Sequence, residues 1–109
     1  MSAYILADLT VTDDTKMVGY RAWSTQAMVE HGAEVMIRGG EPEVMEGPWA
    51  PTRIVMLRFK DRAAARAFYA SQTYSHARTL REGAGIMRMV LVEGPDVPAV
   101  PAVPTVPAA

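Results

Sequence analysis

The sequence predicts an α+β fold in which four strands form one antiparallel sheet and two helices cover one of its faces. Four segments are rich in β-branched and aliphatic residues, and two segments between them begin with capping residues and show helical spacing. These segments follow one another in the order β-α-β-β-α-β. At 109 residues, the chain has room for a single domain, predicted at residues 1–94, and a tail at residues 95–109.

The first two strands enclose the first predicted helix. Residues 3–11 form a near-continuous apolar run, which is typical of a strand covered on both faces. Asp13 predicts a helix N-cap, and Gly32 predicts the end of that helix. Spacings of three, four and four residues predict a buried stripe, which comprises Tyr20, Trp23, Ala27 and His31. Residues 34–38 predict the second strand.

Residues 38–53 form a shaped connection to the third strand. A double glycine at residues 39–40 predicts a turn, and two prolines stiffen the loop around Trp49. Residues 43–46 predict a short strand extension within this connection. The third strand is predicted at residues 52–60. Charged, aromatic and conformationally unusual residues therefore come close together, as they do in the wall of a binding site.

The last part of the domain contains the second helix and the fourth strand. Asp61 predicts the N-cap of a helix that runs through about residue 72, and the alanines along it predict close packing on the sheet. Ser75 predicts the cap of a short helical segment that ends near residues 82–83. Residues 86–93 predict the fourth strand.

This order of elements corresponds to the ferredoxin-like, split β-α-β arrangement, with both helices on one face of the sheet. Apolar side chains on the other face then need a cover of their own. In a chain of this length, the expected cover is the sheet of a second copy. The sequence therefore predicts a homodimer joined through its sheet faces.

The predicted tail has a period of three residues, set by Pro95, Pro98, Pro101, Pro104 and Pro107. This period matches the polyproline II helix. The tail is either an extended or disordered segment or a docking strip for a partner protein, and the sequence leaves both open.

The composition argues against several classes of function. Eleven basic and twelve acidic residues nearly cancel, which argues against nucleic acid as a partner. The chain has no cysteine, and its two histidines lack metal-ligand spacing, so we predict no metal site. No phosphate-binding loop is found, and we predict no cofactor. Without a membrane-length apolar run or a signal-peptide pattern, we expect a cytoplasmic protein with no membrane partner.

These segments resemble the domain-of-unknown-function 1330 family, a branch of the dimeric α+β barrel superfamily. The resemblance covers about residues 3–94, and its main motifs are IRGG (37–40), VMEGPWAP (44–51), ARAFYAS (65–71) and VLVEG (90–94). It implies a dimeric barrel whose site lies in a cleft between sheet and helices. The wider superfamily includes cofactor-free monooxygenases, small-lactone isomerases, haem-dependent dechlorinating enzymes and plain binding proteins, so the resemblance implies a range of functions.

Three residues are candidates for catalysis. His31 lies at the predicted end of the first helix, where an imidazole can act as a general acid or base, or can pack on the last helical carbonyls. Arg38 and Arg53 flank the central connection and can clamp a carboxylate, phenolate or enolate. Equally, both arginines can pair with the glutamates of the connection and hold the loop in shape.

Further residues are candidates for substrate binding: Tyr20, Trp23, Trp49, Tyr74, Arg81, Met36 and Met56. Aromatic side chains can supply flat apolar walls and a phenol donor, although aromatic stripes are also ordinary core. The strands are rich in methionine, which either fills a core or shapes a cavity for a bulky apolar ligand.

These candidates favour a homodimer that binds a small molecule. We expect it to act on a small apolar oxygenated metabolite by acid–base chemistry, as a cofactor-free enzyme of the isomerase, cyclase or monooxygenase type. His31 would move a proton, while Arg38 and Arg53 would hold developing negative charge. Two alternatives stay open: a non-catalytic metabolite-binding or stress-associated dimer, and an interaction protein that uses its proline-rich tail.

Overall fold

A computed structural model describes residues 1–95 and confirms the predicted α+β fold. The elements are β1 (Ser2–Val11), α1 (Asp14–Glu30), β2 (Glu34–Gly40), β3 (Ile54–Phe59), α2 (Arg62–Ala70), α3 (Gln72–Leu80) and β4 (Gly85–Gly94). The strands form one four-stranded antiparallel sheet in the order β2-β3-β1-β4, which is the ferredoxin-like topology. Apart from Pro95, the predicted tail and its partner hypothesis lie outside the described residues.

Helix α1 begins and ends as the sequence predicts. The Asp13 carboxylate accepts a hydrogen bond from the backbone N–H of Lys16 at 3.1 Å, which satisfies one of the free donors at the helix start. Gly32 follows the helix with a positive φ of 66°, a conformation that glycine adopts without strain. Within residues 1–95, no helix is both long and apolar enough to cross a membrane.

The buried stripe of α1 differs from the predicted one. It comprises Met17, Tyr20, Ser24 and Ala27. Trp23 is 43% exposed and packs edge-on against His76 of α3, with ring centroids 4.3 Å apart. His31 is only partly buried. Positions three and four residues from Tyr20 both lie near one helix face; Ser24 lies on the cavity side of α1, whereas Trp23 lies beside His76 of α3.

The second helical region is two helices, not one helix and a separate short segment. Ser71 has an extended backbone with ψ of 154°, which ends α2 and starts α3. Its hydroxyl donates to the Phe68 carbonyl at 2.7 Å and accepts from the Tyr74 N–H at 3.1 Å. Ser71 is therefore the cap that the sequence analysis assigned to Ser75, and one hydroxyl serves both helix ends.

The connection between β2 and β3 contains no strand at residues 43–46, contrary to the prediction. Pro42 precedes this segment and cannot donate to a strand ladder. The end of the connection is held by β1: the Thr52 N–H donates to the Asp8 carboxylate at 3.0 Å, and the Leu9 N–H donates to the Arg53 carbonyl at 2.9 Å. These bonds fix the direction from which β3 begins.

Alternation along the central strands separates two faces of the sheet. Ile5 and Leu9 of β1, with Leu57 and Phe59 of β3, are buried beneath the helices. Phe68 of α2 packs on Phe59 with ring centroids 5.3 Å apart. Helix α1 packs along α3, whereas α2 lies against the central strands. This arrangement leaves room between α1 and the sheet.

The outer side of the sheet carries a group of apolar side chains beside the charged Asp8, Arg58 and Arg88. Ile86, Val90 and Val92 of β4 are 59%, 54% and 53% exposed, and they belong to the register of the strand that points away from the helices. Tyr4 and Leu6 of β1 pair with Val92 and Val90 and continue this surface. We call these five residues the outer face.

Strand β2 contains a β-bulge that changes which residues face the helices. Val35 pairs with Leu57, but Ile37 pairs with Met56, so Met36 is an extra residue in the ladder. Arg38 consequently pairs with Val55 and shares its face, the face beneath the helices. Without the bulge, Ile37 would occupy that position and Arg38 would point to the outer side.

Candidate functional site

A cavity of about 310 Å³ lies between α1 and the helix-facing side of the sheet. Its sheet wall is apolar and includes Ile5, Leu57, Met87 and Met89. Phe68 of α2 closes another side. An apolar cavity of this size with few polar groups is the usual form of a small-molecule site.

The buried end of the cavity carries a hydrogen-bonded cluster. The hydroxyl oxygens of Tyr20 and Tyr74 lie 2.8 Å apart, and both side chains line the cavity. Arg81 Nη1 donates to the Tyr74 oxygen at 3.0 Å and to the Tyr20 oxygen at 3.4 Å. Tyr20 is 7% exposed and Tyr74 is 1% exposed. We call these three residues the Tyr–Tyr–Arg cluster.

Burial and neighbours set the protonation of this cluster. Burial raises the pKa of Tyr20 far above the ordinary tyrosine value, and the nearby Tyr74 raises it further, while Arg81 only partly opposes them. Burial lowers the pKa of Arg81, but Tyr74 and Tyr20 more than offset this effect and leave it above the ordinary value. At neutral pH, Tyr20 is therefore a neutral phenol and Arg81 a cation.

The solvent end of the cavity is lined by three exposed arginines, Arg21, Arg38 and Arg53. The Arg21 guanidinium lies 3.3 Å from the Asp14 carboxylate, and Arg38 donates to the Thr25 hydroxyl at 3.1 Å. Among residues 1–95, no side chain is hydrogen-bonded or ion-paired to the Arg53 guanidinium. These cations favour a negatively charged group at the mouth.

The glutamates of the central connection are exposed and none of them neutralises these arginines. Within the described part of the chain, no ion pair joins Glu41, Glu43 or Glu46 to Arg38 or Arg53. The arginines therefore remain available to a ligand.

Comparison with known proteins identifies the family of this sequence. A family model described as a domain of unknown function (DUF1330) matches residues 2–95. The chain belongs to this family. No curated protein matches its sequence.

Solved structures share the fold of this DUF1330 protein. A protein of unknown function from Rhodopseudomonas palustris matches with a TM-score of 0.69 at 14% identity, over 88% of this chain and 84% of that one. A dimeric ferredoxin-like protein of unknown function from Jannaschia sp. CCS1 gives 0.65 at 17% identity, over 86% and 100%. SnoaB, a cofactor-independent oxygenase from Streptomyces nogalater, gives 0.57 at 11% identity, over 89% and 96%.

The structure brings together half of the residues predicted for the site. Tyr20, Tyr74, Arg38 and Arg53 line the cavity, and Arg81 binds the two tyrosines. The remaining predicted residues are not among those that line it: His31, Trp23, Trp49, Met36 and Met56.

Each of these five residues has another environment in the DUF1330 fold. His31 packs edge-on against Phe68, with ring centroids 6.3 Å apart. Trp23 covers His76, and Trp49 is 54% exposed in the central connection. Met36 is the extra residue of the bulge and is 49% exposed. Met56 has the register of the outer side of the sheet, one residue out of phase with Leu57.

Sequence reasoning did not single out Arg21 and Ser24 as site residues, although both line the cavity. Ser24 lies one helical turn after Tyr20, so a polar residue at that spacing is the signal that could have found it. Met87 and Met89 were predicted only as members of a methionine-rich set. Their shared register with Leu91 would have separated them from Met56.

The polar groups of the cavity lining are phenols and guanidinium groups, which can donate hydrogen bonds, and the Ser24 hydroxyl, which donates its proton to the Arg21 carbonyl at 3.2 Å. Within residues 1–95, no carboxylate or imidazole lines the cavity, and no group of three or more His, Asp or Glu could hold a metal ion. The site is therefore suited to bind and stabilise an oxygen that carries negative charge.

Proposed function

We propose that this DUF1330 protein is a homodimer in which each cavity binds a small, largely apolar oxygenated molecule and acts on it as a cofactor-free enzyme. The observation that carries this proposal is an apolar cavity whose polar groups are donors at both ends. Such a site fits a hydrophobic ring system with oxygen substituents better than it fits a sugar or a nucleotide.

The donors favour reactions that pass through an enolate or phenolate. Isomerisation, cyclisation and oxygenation of an electron-rich ring share such an anion, and donors that are already oriented lower its free energy. Because no carboxylate or imidazole among residues 1–95 lines the cavity, the substrate must be acidic enough to lose its proton to solvent. In this proposal, His31 does not transfer a proton. The fold shared with the oxygenase SnoaB supports the oxygenation member of this set.

The alternative is a non-catalytic protein that holds a metabolite in the same cavity, and the same donors favour it equally. Native mass spectrometry of freshly purified protein, followed by denaturation, tests both. We expect a dimer with one organic molecule per protomer. If the isolated molecule is returned to the protein in air, chemical change indicates an enzyme, whereas recovery of the unchanged molecule indicates a binding protein. An empty cavity in every preparation would contradict the expectation of one organic molecule per protomer.

The arginines at the mouth give a second test of binding. We expect Arg38→Gln and Arg53→Gln each to weaken the binding of 2-naphthoate by about fivefold, because an exposed charge pair contributes about 1 kcal/mol. Isothermal titration calorimetry at low salt measures this effect. Arg66→Gln removes an exposed arginine of α2 that is outside the cavity and serves as the matched control. Equal losses in all three variants would indicate a general effect of charge.

A further inference from the structure

One of the two hydroxyl protons in the Tyr–Tyr–Arg cluster has no hydrogen-bond acceptor within the cluster. Tyr20 and Tyr74 carry two hydroxyl protons, and one of these makes the bond between the two oxygens. Arg81 has donors only, so it cannot accept the second proton. Within residues 1–95, no other acceptor is hydrogen-bonded to either hydroxyl. One proton of the pair is left without a protein acceptor.

The position of Arg81 limits where this proton can point. Its Nη1 group donates to both phenol oxygens and so occupies a lone pair on each from its own side. A hydroxyl proton directed toward Arg81 would meet a donor. Both tyrosines also line the cavity, where Phe68 and Met17 offer no strong acceptor and the Ser24 hydroxyl is bonded to the Arg21 carbonyl and not to either phenol. We therefore expect the free hydroxyl proton to point into the cavity.

From this count we infer that the Tyr20–Tyr74 pair donates one hydroxyl proton into the cavity, and that the ligand carries a carbonyl-type acceptor oxygen there. Ketones, quinones and deprotonated enols have such an oxygen, whereas pure hydrocarbons do not. Arg81 is a positioning residue, because it orients the two phenols without lining the cavity itself. This inference rests on the proposed function and narrows its class of substrate.

The neutral state of Tyr20 supports the inference, because a phenol with a raised pKa keeps its proton at neutral pH and can only donate it as a hydrogen bond. The two tyrosines share one hydrogen bond between their hydroxyl groups. The positive charge of Arg81 polarises both phenols and strengthens the hydrogen bond that the free hydroxyl donates into the cavity. A buried donor without an acceptor is unfavourable, so a ligand that supplies the acceptor gains selectivity over one that does not.

The test compares two ligands of almost equal shape, 1-indanone and indane, which differ by one carbonyl oxygen. Both are neutral, so the arginines at the mouth do not distinguish them. Protein-observed NMR titration at neutral pH measures both affinities. We expect the wild-type protein to prefer 1-indanone by about fivefold, the usual net effect of one hydrogen bond. In the double variant Tyr20→Phe/Tyr74→Phe, we expect the preference to disappear while indane still binds.

The single variants distinguish a hydrogen bond from a change in packing. Tyr20→Phe and Tyr74→Phe each leave one hydroxyl, one free proton and the Arg81 donor, so each should keep a preference for the ketone. Tyr69→Phe is the matched control, because Tyr69 also binds an arginine, Arg78, at 3.2 Å but does not line the cavity. We expect it to have no effect. The single variants also retain a test if the double variant does not fold.

The contrary outcomes separate the two proposals. Equal affinity of the wild-type protein for both ligands, or a ketone preference that survives in the double variant, would overturn the inference and leave the cavity as a binding site. Failure of both ligands to bind the wild-type protein would overturn the proposed function together with the inference.

Discussion

Tyr20 shows how burial decides what a titratable side chain can do. Its ring lies in the core, its hydroxyl touches a second hydroxyl, and both surroundings oppose a phenolate. The same residue in water would titrate near pH 10 and could serve as a base in alkaline solution. Here it is a permanent donor. The sequence predicts Tyr20 only as a binding residue. Its neighbours Tyr74 and Arg81, together with burial, determine that it acts as a hydrogen-bond donor.

The raised pKa of Tyr20 predicts a loss of stability in alkaline solution. Above about pH 10 the unfolded chain releases the Tyr20 proton while the folded chain keeps it, so unfolding becomes more favourable as pH rises. Below that pH the contribution is fully present. Urea unfolding between pH 8 and 11 should therefore show a steeper decline for the wild-type protein than for Tyr20→Phe. Tyr69→Phe controls for the loss of any one tyrosine, and equal slopes in all three proteins would contradict the prediction.

Single residues of the site could be predicted where their chemistry and their position agreed. Tyr74 and Arg81 combine a polar end with positions in one helical region, and they meet in the structure. Trp23 and Met36 have equally suitable side chains but do not line the cavity. Trp23 packs on His76 of α3, and Met36 is the extra residue of the bulge in β2. Residue type indicates what a side chain can do, whereas register decides where it acts.

Among the elements, the strands were predictable and the register of β2 was not. Runs rich in β-branched and aliphatic residues identify β1 and β4. In β2, the extra residue Met36 changes the face of Ile37 and Arg38, and a second irregularity follows between Arg38 and Gly40; nothing in the letters EVMIRGG fixes where either falls. Arg38 was predicted for the site from its place beside the loop, and it lines the cavity because of this bulge.

The pairing of β1 with β4 depends on a glycine. A Cβ atom at Gly85 would lie 2.4 Å from the backbone carbonyl oxygen of Thr10, which cannot move without breaking the ladder. We expect Gly85→Ala to lower the free energy of unfolding by about 3 kcal/mol, as overpacking does. Urea denaturation measures this change.

Gly19 provides the matched control for that substitution. A Cβ atom there would lie 3.4 Å from Leu80 Cδ1, an ordinary contact, and the residue is inside α1. We expect Gly19→Ala to stabilise the protein by up to about 1 kcal/mol, because alanine favours a helix more than glycine does. If both alanines had the same effect, close approach to Thr10 would not be the cause.

At the scale of the whole molecule, the two sides of the sheet have different functions because side chains alternate between them along each strand. One side lines the cavity, and the outer face remains apolar and exposed in the single chain. Exposed apolar surface of this kind marks an association site. The order of the elements was sufficient to predict the fold class. The dimer was predicted because a second copy is needed to cover this face.

The proposed homodimer predicts a specific effect of charge on the outer face. Val90→Arg places a cation where the second sheet would pack, and we expect it to weaken association at least tenfold because that charge would be buried without a partner. Analytical ultracentrifugation measures the change. Val18→Arg is the control, since Val18 is 62% exposed on α1, on the helix side. A wild-type monomer, or a dimer that survives Val90→Arg, would refute the arrangement.

The bulge at Met36 has an evolutionary consequence. Loss of this one codon would restore regular pairing at this point of β2 and leave Ile37 opposite Met56 and Arg38 opposite Val55, so Arg38 would keep its place on the cavity side. An edge strand tolerates such a change more easily than a central strand, because only one neighbour has to adjust. A lineage of this fold could therefore lose the extra residue and keep the cationic mouth, whereas an aliphatic mouth with Ile37 opposite Val55 requires regular pairing with every residue of β2 retained.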